Sequence, residues 1–332
     1  MPVDFKDYYA TLEVPRTASE DDIKQAFRKL ARKYHPDVAK DKKAGEAKFK
    51  EINEANEVLG DPQKRQRYDE LGAHWKAGAA YQDAAGRQPR EHRTASPGPA
   101  YESHFSGTGF SDFFEQFFSR SGRSGTAFNE EGADNAQFGQ ARGPVRGIDF
   151  EADILVTLNE VLNGAVRDIS LRSEAARNGQ LAIQHFKVRI PAGVQEGQRI
   201  RVPGKGGEGR GGANPGDIFL RVRLAAHPDF RVRGADLYYD LELAPWEGVL
   251  GTNSKVPTLK GQVSVRIPPG TNTGQQLRVR GQGLPKGKNE GSGDLYVVVE
   301  VQLPKKINDE ERALWEKLGQ ISGFNPRKAT SS

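Results

Sequence analysis

Two stretches in the second half of the chain are copies of one another. Val188-Arg-Ile-Pro-Ala-Gly193, Gly197-Gln198, Arg201-Val202, Gly204, Gly206 and Gly216-Asp217 recur as Val265-Arg-Ile-Pro-Pro-Gly270, Gly274-Gln275, Arg278-Val279, Gly281, Gly283 and Gly293-Asp294. The offset is constant at 77 residues (265 minus 188), without a gap. A fixed offset kept over so long a segment marks duplicated units. Each copy reads as short β-branched strands, VRIP, RIRV and DIFLRVRL in the first and VSVRIP, LRVR and DLYVVVEV in the second, separated by Pro-x-Gly and glycine-rich turns. The expectation is two small β-sandwiches, over residues 147–226 and 227–305. Gly204-Lys-Gly206-Gly-Glu-Gly209 formally fits the dinucleotide pattern G-x-G-x-x-G, which needs a helix directly behind it to aim at a pyrophosphate. Arg-Gly-Gly-Ala-Asn-Pro follows instead, and the second copy lacks the third glycine. These are turn glycines, and a dehydrogenase-type enzyme is set aside.

The first seventy residues have a different period. Ser19 and Asp22 make a capping-box pattern, and Ile23, Ala26, Phe27, Leu30, Ala31 and Tyr34 follow as one apolar helical stripe. Pro36 biases His35 away from helical angles, so the helix should stop there. A second helix is expected over residues 43–59, with Phe49, Ile52, Ala55 and Leu59 inward, closing a hairpin with His35-Pro36-Asp37 at its turn. Residues 23–43 hold eight Lys/Arg, among them Lys24, Arg28, Lys29, Arg32 and Lys33, against Asp37 and Asp41, while the first 75 residues balance fifteen bases against fifteen acids. Such segregation within a neutral domain suits docking to an acidic partner, although a solvated face has the same pattern. The His-Asp pair lacks any nucleophile fixed beside it in sequence, which argues against hydrolytic catalysis.

Asp7-Tyr8-Tyr9, Ala31-Arg32-Lys33-Tyr34-His35-Pro36-Asp37, Phe49-Lys50-Glu51-Ile52 and Asp61-Pro62 with Arg67-Tyr68-Asp69 resemble the J-domain in order and spacing. Asn56 stands where relatives usually carry an aromatic residue. The resemblance implies a co-chaperone, not an enzyme, in which His35, Pro36, Asp37 and the basic helix (Lys24, Arg28, Lys29, Arg32, Lys33) dock on a DnaK-type ATPase chaperone and stimulate ATP hydrolysis. It also allows a small J-domain-binding regulator as a further partner. The duplicated β-units resemble the paired C-terminal client-binding domains of the same family. Its zinc-bearing class inserts C-x-x-C-x-G-x-G repeats in the first unit. Here residues 173–183 are short and the chain has no cysteine, so the zinc-free class is assigned, with no cofactor or metal expected. The resemblance places Ile154, Ile169, Leu171 and Leu220 in a groove for unfolded clients, whereas strand alternation alone would make them core residues, and both readings stand open.

Between residues 74 and 146 periodicity disappears and Gly, Ser, Gln, Ala and Pro dominate, so a largely disordered linker is expected. Eight of the sixteen Phe nevertheless lie there, and Phe110, Phe113, Phe114, Phe117 and Phe118 have the spacing of one short apolar helix. It could cluster within the linker, or contact clients or the J-domain; the region resembles the glycine–phenylalanine regions of J-domain proteins, in some zinc-free members of which a helix masks the J-domain. Within the tail over residues 306–332, Asn308 to Ile321 reads as a capped helix with Leu314, Trp315, Leu318 and Ile321 on one side, a homodimer interface by resemblance or a face packed back on the second β-unit. The compact linker, Trp246-Glu247, Gly251-Thr252 and Phe324-Asn-Pro-Arg-Lys328 resemble a bacterial branch of the family that also binds DNA in the nucleoid. The net charge of +5 permits DNA without demanding it. Lacking an apolar leader, any run of 18 apolar residues and any cysteine, the chain is expected to be cytoplasmic, with no membrane partner.

Overall fold

The computed structural model describes residues 5–35, 42–76, 103–119, 144–174, 181–209, 211–287, 291–325 and 327. Compactness divides the chain into two units, Met1–Tyr239 with Arg280–Leu295, and Asp240–Val279 with Tyr296–Ser332. Pro36 and Asp37 lie outside the described residues, as does most of the linker.

The first unit begins with four helices, α1 (Tyr8–Thr11), α2 (Glu20–Tyr34), α3 (Lys42–Leu59) and α4 (Pro62–Lys76). The expected stripe on α2 is buried at Ile23, Phe27, Leu30 and Ala31, and the Ser19/Asp22 capping box satisfies its first turn. His35 leaves the helix at φ −58° and ψ 136°, the extended geometry that a following proline imposes. On α3 the inward set is Phe49, Ile52, Ala55, Val58 and Leu59, together with two polar residues, Asn53 and Glu54.

The linker contributes a strand, β1 (Ser103–Ser106), and a helix, α5 (Asp112–Phe117). The helix was legible in its phenylalanine spacing; the strand was not. The β-part of the first unit follows with β2 (Phe150–Val156), α6 (Leu158–Asn163), β3 (Ala165–Glu174), β4 (Leu181–Ile190), β5 (Arg199–Val202) and β6 (Ile218–Leu224). Two three-stranded sheets form, ordered β1-β3-β4 and β2-β6-β5. The pairs β1–β3 and β3–β4 are antiparallel and β2–β6 is parallel. The strand β7 (Phe230–Arg233) then pairs antiparallel with β8 (Asp236–Leu243). In the second unit α7 (Pro245–Leu250), β9 (Thr252–Thr258), β10 (Gly261–Ile267), β11 (Gln276–Val279), β12 (Leu295–Val301) and α8 (Asp309–Ile321) complete the chain.

The duplication is visible bond for bond. Gly206 N–H donates to the Gly216 carbonyl and Gly283 N–H to that of Gly293; Gly204 N–H meets Asp217 Oδ1 at 2.7 Å, and Gly281 N–H meets Asp294 Oδ1 at 2.8 Å. The Gly204 bond leads the causes that hold the Asp217 carboxyl below its ordinary range. Gly206 and Gly283 are backbone-crowded, since a Cβ on either would lie 2.6 Å from a carbonyl oxygen, that of Ile148 or of Ala235, whereas Gly204 and Gly281 are uncrowded turn residues of positive φ. Among the described residues no helix follows the Gly204–Gly209 run; the chain returns as β6, as its turn chemistry requires.

Candidate functional site

The cations of α2 are exposed as a set, and α2 presents them because its opposite face is the core stripe. Lys24 lies 3.8 Å from both Glu20 and Asp21 on its own helix, and Lys33 sits over the Tyr34 ring. Arg32 reaches a distant segment. Its Nε and Nη2 donate to Asp229 Oδ1 at 2.9 and 2.7 Å. His35, at the end of the helix, is held edge-on against Phe49 of α3, with ring centroids 5.5 Å apart, and meets the His227 ring at 5.2 Å, also edge to face. The His227 ring accepts the N–H groups of Asp229 and Phe230 on Nδ1, which fixes the turn that presents Asp229. His227-Pro228-Asp229 is a second His-Pro-Asp tripeptide. It is readable in the sequence, but the place of its His227 beside His35 is a tertiary fact.

The α5 helix shares one apolar cluster with the buried face of α2, Ile23, Phe27, Leu30 and Ala31. It packs into the core on the other elements of the helical domain. Phe113 is 2% exposed and meets Phe5, Tyr8 and Tyr68 at centroid distances of 5.4, 5.9 and 6.4 Å; Phe114 stacks on Phe110 at 4.2 Å. Phe117 and Phe118 are partly buried against the same cluster, which also takes in Leu155 and Ala225 of the β-part. The polar anchor is Glu54, missed in the sequence because a Glu on α3 looks like surface. Buried, it accepts the Tyr8 hydroxyl at 2.8 Å and both the N–H and the hydroxyl of Ser111 at 2.7 and 2.6 Å. Ser111 is the N-cap of α5, so one carboxylate of the helical domain holds the start of the linker helix. Burial, and then Glu54 itself, push the Tyr8 phenol far above its ordinary range, which keeps it a donor.

The linker continues onto the sheet on both sides of α5. Phe105 pairs across from Leu171, the Leu155 N–H donates to the Thr108 carbonyl at 2.8 Å, and the Ser119 hydroxyl reaches Asp153 at 3.2 Å. Glu115 accepts the Thr108 hydroxyl at 3.1 Å. Burial raises its carboxyl to about 8, against bonds from Thr108 and the Phe105 backbone that lower it, with Asp112 and Asp153 adding to the rise. The structure therefore brings the α2 edge, the linker and the first β-domain into one packed site.

The four groove candidates are all interior: Ile154 on β2, Ile169 and Leu171 on β3 and Leu220 on β6 are each at most 1% exposed. Leu171 is the one that the linker strand pairs over. In the second unit α8 forms with the Asn308/Glu311 capping box and buries none of its residues; Leu314, Trp315, Leu318 and Ile321 are 68, 37, 49 and 73% exposed. No described helix is long and apolar enough to cross a membrane, and no group of three or more His, Asp or Glu among the described residues could hold a metal.

Comparison with known proteins agrees with this division. The DnaJ domain family matches residues 7–69, and the DnaJ C terminal domain family matches residues 150–304, covering both β-units. A "Curved DNA-binding protein" of Coxiella burnetii is 40% identical over 338 residues, 98% of this chain and 99% of its own length. Proteins of the same name from Pseudomonas syringae and Pseudomonas putida are 42 and 43% identical, each with 98% of both chains covered.

Proposed function

Because the chain belongs to the DnaJ-like family, with a J-domain ahead of a DnaJ C-terminal domain, we propose that it is a co-chaperone that docks on a DnaK-type ATPase through α2 and His35-Pro36-Asp37. The reading rests above all on the exposed cations of α2, which end at a His35 held in place by Phe49. Lys24, Arg28, Lys29, Arg32 and Lys33 would meet an acidic partner surface, and the tripeptide would trigger ATP hydrolysis there. The β-part would hold non-native polypeptide and pass it on, and the exposed apolar face of α8 would join two copies of the chain. A single-turnover ATPase assay on a DnaK-type chaperone tests the first step. Wild type should accelerate hydrolysis and His35→Gln should not; equal stimulation would overturn the proposal.

Asp229 already occupies Arg32, so the partner would have to compete with the chain's own β-part for the docking edge. In this reading the helix of Phe113, Phe114, Phe117 and Phe118 restrains the domain that carries the edge, as a masking helix would. Their replacement by Ser should raise partner stimulation.

The names of the relatives support DNA binding as a second activity. On the outward side of β4, His185, Lys187 and Arg189 alternate with the buried Phe186, Val188 and Ile190, a solvent-facing basic stripe. Phosphate contacts from such a stripe would be weakly selective for sequence and steeply salt-dependent. A gel shift across a salt series tests it, and no shift even at low salt would eliminate the activity.

A further inference from the structure

Between β6 and β7 the chain makes a short turn against the helical domain. Ala225 and Ala226 leave β6 packed on the apolar cluster of that domain, and His227-Pro228-Asp229 follows with Pro228 buried. Proline has no N–H to give, so the next two residues shape the turn: the N–H groups of Asp229 and Phe230 donate to His227 Nδ1 at 3.1 and 3.3 Å. The turn aims the Asp229 carboxylate at α2, where Arg32 Nε and Nη2 both donate to its Oδ1. Beside that pair the His227 ring meets His35. Three consecutive residues of the β-part therefore hold both a cation of α2 and the histidine at its end.

The chemistry of Nδ1 sets the condition for this grip. A neutral imidazole offers one ring nitrogen as an acceptor, whereas a charged one carries a proton on each and accepts nothing. With Nδ1 accepting, the proton of His227 sits on Nε2. A second proton must enter at Nδ1, against two N–H groups, and it removes both bonds that shape the turn. The groups around the rings do little to offset the charge. From α2 comes Arg32, and His35 is the second titratable ring. From α3 comes Phe49, whose neighbours Lys48 and Lys50 pair with Glu51 and Glu46. From β7 and β8 come Phe230 and Tyr239, and the Asp229 carboxylate is turned onto Arg32.

We propose that the His227-Pro228-Asp229 turn is a proton-released clasp on the docking edge, closed over Arg32 and His35 while His227 is neutral and open once His227 is charged. The proposal rests on the docking reading above, in which the freed edge is what an acidic ATPase partner meets. Its sign follows from linkage. In the open form His227 takes a proton at the ordinary imidazole value of about 6.5. In the closed form it does so less readily, because the two turn bonds must be given up. The clasp is thus at full strength above that value and weakens as pH falls below it. Asp229 then loses its pose, Arg32 is released, and the partner gains the edge.

The test compares full-length wild type, His227→Asn and His227→Ala for affinity to a DnaK-type chaperone at about pH 5.5, 6.5 and 7.5, by surface plasmon resonance. An Asn side-chain oxygen accepts the N–H two residues on, as in an Asx turn, and has no proton to gain, so His227→Asn keeps the clasp closed; His227→Ala has no acceptor and leaves it open. His35 titrates in all three, so ratios between them cancel its contribution. At pH 7.5 wild type should match His227→Asn. At pH 5.5 it should bind about fivefold tighter than His227→Asn and approach His227→Ala, the factor that an exposed ion pair of this kind supplies. A ratio of wild type to His227→Asn that does not change with pH overturns the clasp. Should His227→Ala fail to fold, that ratio alone decides. Amide hydrogen exchange at Asp229 and Phe230, corrected for intrinsic rates, separates this proposal from the docking reading. If no form binds the chaperone, the docking reading falls; protection lost with acid in wild type but kept in His227→Asn still upholds the clasp, and equal profiles overturn it.

Discussion

Replacing Glu115 with Gln should uncouple linker docking from pH. Glu115 sits where the linker touches β2 and β1, with Asp153 facing it from β2 and Asp112 beside it on α5, and burial raises its carboxyl from 4.5 to about 8. A group whose docked value lies above its free value favours docking when protonated. The full benefit is therefore present below pH 4.5 and is lost as pH climbs through 8. At about 1.4 kcal/mol per unit, docking of residues 103–119 weakens by at most ~5 kcal/mol across that window. A neutral Gln cannot be charged and carries none of this dependence. Amide hydrogen exchange at pH 6, 7, 8 and 9, corrected for intrinsic rates, reads the effect directly. Wild-type protection at residues 103–119 should fall with pH, while Glu115→Gln stays flat and becomes the more protected at pH 9. A parallel fall in both proteins, or no fall in wild type, would refute the reasoning.

Two further outcomes follow from the ion pairs. Asp229→Ala frees Arg32, and because that pair is largely solvated it is worth no more than ~1 kcal/mol, so partner affinity should rise up to about fivefold; surface plasmon resonance at two salt concentrations checks this, and unchanged affinity counts against competition by the β-part. Arg221 holds the buried Asp153 through two bonds of 2.6 and 2.8 Å, so Arg221→Ala should destabilise the first β-domain by ~3 kcal/mol or more. Denaturant unfolding of Arg221→Ala beside Arg221→Ala with Asp153→Asn should show the double variant recovering part of that loss.

The parts of the fold that were legible depend on neighbours close in sequence. Spacings of three and four placed the buried stripe of α2, Ser19 and Asn308 announced their helices through caps three residues long, and Pro36 ended α2 at His35. The glycine turns of the repeat were legible because the same residues return at the same offset, and the pairs Gly206/Gly283 and Gly216/Gly293 share the same tight backbone contacts. The phenylalanines of α5 showed a helix in the same way, while β1 stayed hidden. Its four residues carry no period of their own and become a strand only because β3 offers an edge to pair with.

The candidate site divides along the same line. By itself the sequence determined which residues are candidates for the proposed docking: the cations of α2, the His35-Pro36-Asp37 tripeptide, the apolar face of α8 and the duplicated β-units. Only the tertiary structure decided what those residues meet. Glu54 against Ser111, Arg32 against Asp229, His35 against His227 and Phe105 against Leu171 join positions far apart in the chain. No local pattern encodes such pairings, because each is selected by the summed burial and hydrogen bonding of the packed whole and costs chain entropy that only that sum offsets.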